Sequence, residues 1–305
     1  MLTRNEVRSP ITGTTNVELV DEISAEVAIS NYRTEYDIDV SDYFSGLKTI
    51  KIYKCNDTGY RFYYPFELAG RSDLYEKLQS ISWYYSLRYE HQVAEKYIKP
   101  TDSVLEVGCG FGYFLEKLQK NGISCVGLEF NEEAVKNGIS RALNISKQDL
   151  IEHTAINPEA YDIVCSFQVV EHVAQPYDFI KASVDALKPG GLLIIGVPNN
   201  NPYLFRKDKY HTLNLPPHHM GLWDKLSLAN MGKHLNLEIE EILVEPLQDW
   251  EIEQYIKISI NSSILKIILL FFTSKIRPLR VRLMFRNFFR LKFDGRNILA
   301  IYKKP

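Results

Sequence analysis

The sequence predicts an α/β fold built on a doubly wound, mostly parallel sheet, and three observations carry that prediction. From residue 101 onward, β-rich runs alternate with stretches whose apolar residues recur at helical spacing. A glycine turn joins the first strand to the first helix of that series. The 305 residues are 45 % hydrophobic and 24 % charged, the averages for globular chains with a packed core, which excludes disordered, collagen-like and coiled-coil classes. The length exceeds one ordinary domain of ~100–200 residues, so an α/β unit with an appendage is expected.

The run TDSVLEVGCGFGYFLEKLQKNG reads as strand, glycine turn and helix. Val104, Leu105 and Val107 form the strand, Phe114, Leu115 and Leu118 repeat at helical spacing, and Gly122 ends the helix. SCVGLEF is a second strand and NEEAVKNGISRA a second helix, with Asn131 as its cap and Glu132 and Glu133 complementing the dipole. YDIVCSF, GLLIIGVPN, LEIEEILVEP and NILAIYKK read as further strands, and FIKASVDALKPGG as a helix stopped by Pro-Gly-Gly. Leu78, Ile81, Tyr85 and Tyr89 predict a connecting helix within residues 76–100, ended by Pro100. Residues 1–75, rich in Tyr, Asp and Thr, form a separate β-rich module whose IKIYKCNDTGYRFYYP resembles a hairpin. The α/β unit is placed at 76–250, a helical insertion at 251–293 and the last strand at 294–305.

The formal charge of −2 gives no reason to expect a nucleic-acid partner, because such proteins carry a basic excess. Cys55, Cys109, Cys125 and Cys165 form no CxxC pair, so neither a disulfide framework nor a complete zinc site is read and no metal is expected. Reduced thiols fit a cytoplasmic protein, and the polar start lacks the apolar core of ~7–15 residues that an export signal needs.

Gly108, Gly110 and Gly112 sit where a strand opens into a helix, a place where side chains would block a ligand. A dinucleotide fingerprint needs glycine where Tyr113 stands, and the acidic Glu106 beside the turn repels pyrophosphate. A ligand with an ammonium and a sulfonium, S-adenosylmethionine, suits that carboxylate. Glu129, 21 residues after Gly108, can accept both ribose hydroxyls; Asp149 can accept from an adenine amino group, with Phe130 and Leu150 on the ring faces.

VLEVGCGFG, GLEFNEEAV, DIVCSFQVVEHV and LKPGGLLIIGVPN, in that order, resemble the motifs of class I S-adenosylmethionine-dependent methyltransferases. The resemblance implies their seven-stranded Rossmann-like sheet and a cofactor held by Glu106, Gly108, Gly110 and Phe111 at its methionine end. It implies Glu129 at the ribose, Asp149 and Leu150 at the adenine, and Phe167 and Gln168 beside the reacting methyl. Glu171 and His172 match the family's Glu-His pair, read here as structure behind the pocket. Trp83, Tyr84 and Tyr85 stand where relatives fold a helix over the cofactor; Tyr85 is taken as a contact, since an aromatic face attracts a sulfonium. Residues 1–75 also resemble the zinc-binding module that precedes bacterial methyltransferases of sugar and polysaccharide pathways. Its two CxxCG knuckles are reduced here to Ser9, Thr12, Cys55 and Thr58, and hydroxyls are poor zinc ligands.

Transfer to a hydroxyl needs a base. The segment HTLNLPPHHMGLWDKLSL brings His211, His218 and His219 together, with His219 first and His218 second as candidate bases. His211, Asn199, Asn200 and Trp223 are expected on the acceptor side. In residues 251–293, nine basic residues (Lys257, Lys266, Lys275, Arg277, Arg280, Arg282, Arg286, Arg290 and Lys292) face only Glu251 and Glu253, a local charge of +7. The apolar stretch from Ile258 to Ser274 is shorter than the ~20 residues of a spanning helix. It suits a helix lying on an anionic membrane or one covering the active site and meeting a polyanionic acceptor, with a helical lid or dimer contact bearing a solvated basic face as the plainer reading. The expected function is methyl transfer to an acceptor hydroxyl, on a saccharide or glycolipid precursor; a quinone-like lipid acceptor and a non-catalytic cofactor-binding module stand as alternatives.

Overall fold

The computed structural model describes residues 6–81, 84–201, 205–206, 208–273 and 279–305. Trp83, Lys275 and Arg277 lie outside the described residues, as do Ser274 and the side chain of Arg282. The chain runs β1 (Val17–Ser24), α1 (Ala25–Tyr36), β2 (Thr49–Cys55), β3 (Arg61–Tyr64), α2 (Ser72–Leu78), α3 (Tyr89–Ala94), β4 (Ser103–Val107), α4 (Tyr113–Lys120), β5 (Ser124–Leu128), α5 (Glu132–Ser140), β6 (Ile145–Ser146) and α6 (Leu150–Ile156). It continues through β7 (Tyr161–Phe167), α7 (Pro176–Ala186), β8 (Leu187–Pro198), β9 (Gly221–Leu222), α8 (Lys225–His234), β10 (Glu238–Pro246), α9 (Asp249–Ser259), α10 (Ser263–Thr273), α11 (Leu279–Lys292) and β11 (Asp294–Lys303).

Seven strands form the main sheet in the order β10-β11-β8-β7-β4-β5-β6, and β6, β5, β4, β7 and β8 are parallel neighbours. β11 inserts antiparallel between β8 and β10. The expected doubly wound sheet is therefore observed, and its side chains show why it forms. Strand residues alternate between faces: Leu105, Val164, Leu193 and Ile195 enter one buried cluster, while Val104, Ile163, Cys165 and Ile194 enter another with Phe114 and Leu118. With both faces apolar, helices must cover both.

A second, antiparallel sheet has the order β1-β2-β3-β9. Its hairpin β2–β3 was legible; the helix α1 was not, and its Ala25, Ala28 and Tyr32 pack beneath the sheet with Ile50, Ile52 and Tyr63. The predicted connecting helix is broken. Helix α2 stops at Leu78, and after Arg88 the chain restarts as α3. Between them Tyr85 turns its ring onto the glycine turn, 5.0 Å from the ring of Phe111, so tertiary contact overrides the helical spacing. α9, α10 and α11 form the insertion before the last strand, around a small core of Leu247, Ile252, Ile256 and Phe289. No helix among the described residues is long and apolar enough to cross a membrane.

Candidate active site

A cleft of about 1640 Å³ opens at the carboxyl ends of β4, β5 and β7, the ligand-binding edge of an open α/β sheet. Gly108 (φ +75°), Gly110 (φ +54°) and Gly112 (φ +72°) form the turn after β4, all in the left-handed region open to glycine. Gly108 and Gly110 line the cleft, and all three glycines also leave room for neighbouring side chains. A Cβ on Gly108 would stand 2.3 Å from Val169 Cγ2, one on Gly110 2.6 Å from the Tyr85 ring, and one on Gly112 2.7 Å from Ile145. Gly112 is absent from the cleft lining.

The turn is also a poor phosphate cradle, because four of its amides are already used. Gly108 and Cys109 donate to the Leu128 carbonyl, Gly112 to the Cys109 carbonyl, and Gly110 to Glu129 Oε2 at 2.8 Å. The cleft offers carboxylates instead. Glu106 is buried with Oε2 unpartnered, and burial plus the nearby Glu129 pushes its carboxyl well above the usual range. Burial raises Glu129 too, partly offset by the Asn131 and Gly110 amides it accepts. A buried acid that resists ionisation, as Glu106 does, is stabilised by a nearby cation, so the residues present fit the positively charged end of S-adenosylmethionine.

Leu150 is buried at the cleft wall and Phe130 is largely solvent-exposed, so the structure does not close the two over one ring. Asp149 lines the cleft while its Oδ1 caps α6, accepting from the amides of Ile151 (2.7 Å) and Glu152 (3.3 Å). Phe167 stands 4.5 Å from the ring of His91. Gln168 adopts φ +57°, donates to Glu90 Oε1 at 2.7 Å and lies 3.4 Å from Arg88; a non-glycine residue held there is strain paid at a site edge.

Across the cleft, three imidazoles meet. Ring centroids of His172 and His218 are 4.4 Å apart, those of His218 and His219 4.6 Å and those of His172 and His219 4.9 Å. Their partners assign the protons. His218 Nδ1 faces the Leu213 carbonyl at 2.8 Å and must donate, which leaves Nε2 to accept from the Tyr84 hydroxyl at 2.8 Å. Asn214 donates its amide to Asn200 Oδ1, so its Oδ1 accepts from His219 Nδ1 at 3.1 Å. His219 Nε2 is thereby bare, 4.0 Å from Glu171 Oε1. Burial holds His218 and His219 well below the usual histidine range and His172 at about 4. Glu171 is fully buried, neither oxygen has a hydrogen-bond partner among the described residues, and burial pushes it up to about 8. The Glu-His pair read as background thus belongs to the site. The signal was in the sequence, but its spatial partner 46 residues onward was not.

His211 lines the cleft, paired with Asp208 at 3.6 Å. Three expected acceptor residues do not reach the cleft lining. Asn199 is buried, donating to the Gly295 carbonyl and accepting from Asn201; Asn200 accepts from Asn214 and so orients His219 from behind. Trp223 is fully buried, 4.2 Å from the ring of Tyr60. Sequence reasoning missed Arg88, Glu90 and Glu245, which surround Gln168 and Asn297; nothing in their spacing announces a site. Among the described residues, His172, His218 and His219 also form the grouping able to hold a metal, with one ligand atom from each within 4.8 Å of the others.

Two curated relatives set this geometry in context. The ubiquinone biosynthesis O-methyltransferase of Nitrosospira multiformis is 30 % identical over 153 residues, 46 % of this chain and 64 % of that protein. That of Marinobacter nauticus is 30 % identical over 153 residues, 45 % and 64 % respectively. The chain therefore spans just under two thirds of their length. An S-adenosylmethionine-dependent methyltransferase from Archaeoglobus fulgidus shares the fold, with a TM-score of 0.50 and 21 % identity over 70 % of this chain and 90 % of that one.

These findings overturn the likeness to sugar-pathway enzymes with a zinc module. The relatives carry quinone-pathway names, and the metal-capable grouping lies in the cleft. In the N-terminal turns Ser9 Oγ accepts from the Ile11 and Thr12 amides and Thr58 Oγ1 from the Tyr60 amide, while Thr12 Oγ1 lies 2.9 Å from Thr14 Oγ1 and 3.7 Å from Cys55 Sγ. A family model described as a methyltransferase domain matches residues 82–242, from the break after α2 to the middle of β10. The chain belongs to this methyltransferase domain family and has the class I fold whose cofactor is S-adenosylmethionine.

Proposed function

We propose that this chain methylates a hydroxyl of a quinone-like or related lipid acceptor, with His219 as the general base. The observation that carries the reading is the bare Nε2 of His219, held in a cleft whose other wall is the glycine turn with its buried acids. When bound, S-adenosylmethionine would supply an electrophilic methyl carbon: an acceptor oxygen would bond to it in line as the carbon–sulfur bond breaks, with S-adenosylhomocysteine as the leaving group. The chain's own residues orient the reactants and take a proton.

Glu106 and the turn at Gly108, Gly110 and Phe111 receive the methionine end, Glu129 the ribose hydroxyls, and Asp149 through its uncommitted oxygen, with Leu150, the adenine. Phe167 and Gln168 wall the cleft near the methyl, and Tyr85 covers the turn. His219 takes the acceptor proton at Nε2; its Nδ1–H stays on Asn214, and the resulting imidazolium faces Glu171, whose carboxyl ionises more readily beside that charge. His218 already accepts from Tyr84 at Nε2, so it acts as an orienting residue, and His211 borders the acceptor space. The acceptor class is supported by the relatives' printed activity, ubiquinone biosynthesis O-methylation.

The test is methyl transfer from labelled S-adenosylmethionine to a polyprenylated catechol, a water-soluble catechol, an amine and a thiol. Methyl ether formation on catechol oxygen is expected. Label appearing only on nitrogen or sulfur rejects the reading.

A further inference from the structure

Helix α10 shows its apolar stripe to solvent. Ile264, Ile267, Ile268 and Phe271 fall at i, i+3, i+4 and i+7, the spacing that a water-exposed helix normally turns toward its core. Here all four are exposed, Ile264 at 73 % and Ile267 at 69 %, while Leu269 and Leu270 turn inward onto the Ile256–Phe289 cluster. α11 continues the surface: Leu279, Leu283, Met284 (70 %) and Phe288 are exposed, and Phe289 is buried beneath them. Large apolar side chains exposed together on two helices in contact mark a docking face.

Charge decides what docks. Residues 254–293 hold nine basic side chains and no acidic one, in a chain whose formal charge is −2. Arg286 and Arg290 are committed to Asp249 at 3.0 and 3.1 Å. Lys257, Arg280 and Lys292 are exposed and form no ion pair among the described residues. A second copy meeting this face would bring like charge against like charge, and a nucleic acid offers the apolar stripe nothing.

We propose that the outer face of the α10–α11 pair docks on an anionic lipid bilayer. The apolar side chains enter the headgroup–acyl boundary, roughly 5–10 Å deep, and the basic ones meet lipid phosphate. Helix α9 ties this face to the chemistry. Its Trp250 and Gln254 line the cleft, while Ile252 and Ile256 pack into the cluster under α10 and α11. A lipid acceptor would then enter from the bilayer one helix away; that last step rests on the acceptor reading above, and docking itself does not.

The experiment is flotation of the full chain with vesicles of phosphatidylcholine alone and mixed with phosphatidylglycerol. Recovery with the mixed vesicles is expected, falling as salt rises. The double substitution Ile264→Glu with Ile267→Glu is expected to lower that recovery on the order of tenfold, with calorimetric binding of S-adenosylmethionine and turnover of a water-soluble catechol unchanged. Recovery indifferent to phosphatidylglycerol, or a double variant that floats like the parent, overturns the proposal. So does sedimentation showing a dimer that the double variant dissolves, with no vesicle binding by the parent. Because the soluble catechol reports acceptor chemistry without a membrane, failure of docking and failure of the acceptor reading are told apart.

Discussion

Glu171 presents both carboxylate oxygens to no hydrogen-bond donor among the described residues while standing 4.0 Å from Nε2 of His219. A fully buried acid held at about 8 beside an imidazole held well below its usual range means that both groups are neutral near pH 7. A proton delivered to His219 creates a cation next to an acid ready to ionise, so the pair is arranged to receive charge rather than to store it.

His219→Gln is expected to lower kcat for a phenolic acceptor by about 10²–10⁴-fold, the usual contribution of a positioned base. Calorimetric affinity for S-adenosylmethionine should not change. Steady-state kinetics checks it, and a fall of only about threefold removes the base assignment.

Glu171→Gln is expected to change the pH dependence of stability. The folded carboxyl sits at about 8 against an ordinary value of 4.5, so between those values the native state holds more protons than the unfolded one. The stability that Glu171 contributes is full below the unfolded value and is lost as pH rises through 8. The Tm advantage of the Gln variant over the parent should therefore grow from pH 5 to pH 8, and a difference that is flat or shrinking contradicts the burial.

Gly108→Ala is expected to destabilise the fold, because its Cβ would stand 2.3 Å from Val169 Cγ2 and its φ is +75°. Adding Val169→Ala should restore the packing part and leave about 1–2 kcal/mol of left-handed strain. Denaturant melts of the two single variants and the double variant measure the coupling; strict additivity would show that Val169 is not the obstacle.

Trp223→Ala is expected to cost about 3–5 kcal/mol in a urea melt, as for other buried aromatics. Its indole is fully buried against Tyr60 and away from the cleft lining, so kcat per folded molecule should hold. A selective loss of acceptor KM would return Trp223 to the acceptor side.

The sheet was legible because each central strand is a short apolar run and each crossover helix carries its own stripe and stop. Asn131 caps α5, accepting from Ala134 as its position announced. The glycine turn was legible in place but not in cause: only the coordinates show Val169, Tyr85 and Ile145 filling the space that three side chains would need. Asn199, Asn200 and Trp223 follow a strand end in the manner of acceptor residues, yet their polar atoms and rings are spent on holding the loop together. Such partners are distant in sequence. Arg88 and Glu90 stayed hidden for the same reason, since their role depends on Gln168, some 80 residues further on.

The short strand β9 completes the N-terminal sheet directly after the histidine loop, with Phe62 opposite Gly221 and Arg61 opposite Leu222. Tyr32 and Tyr63 from that sheet's layer donate to the carbonyls of Leu215 and Asn214, while the backbone carbonyl of Glu171 accepts the amides of Met220 and Gly221 from the other side. The loop that carries His218 and His219 is thus cast between two moulds, one from each end of the chain's first two hundred residues. The N-terminal sheet therefore sets where the imidazoles stand, while the turn after β4 is held by its own neighbours Val169, Tyr85 and Ile145.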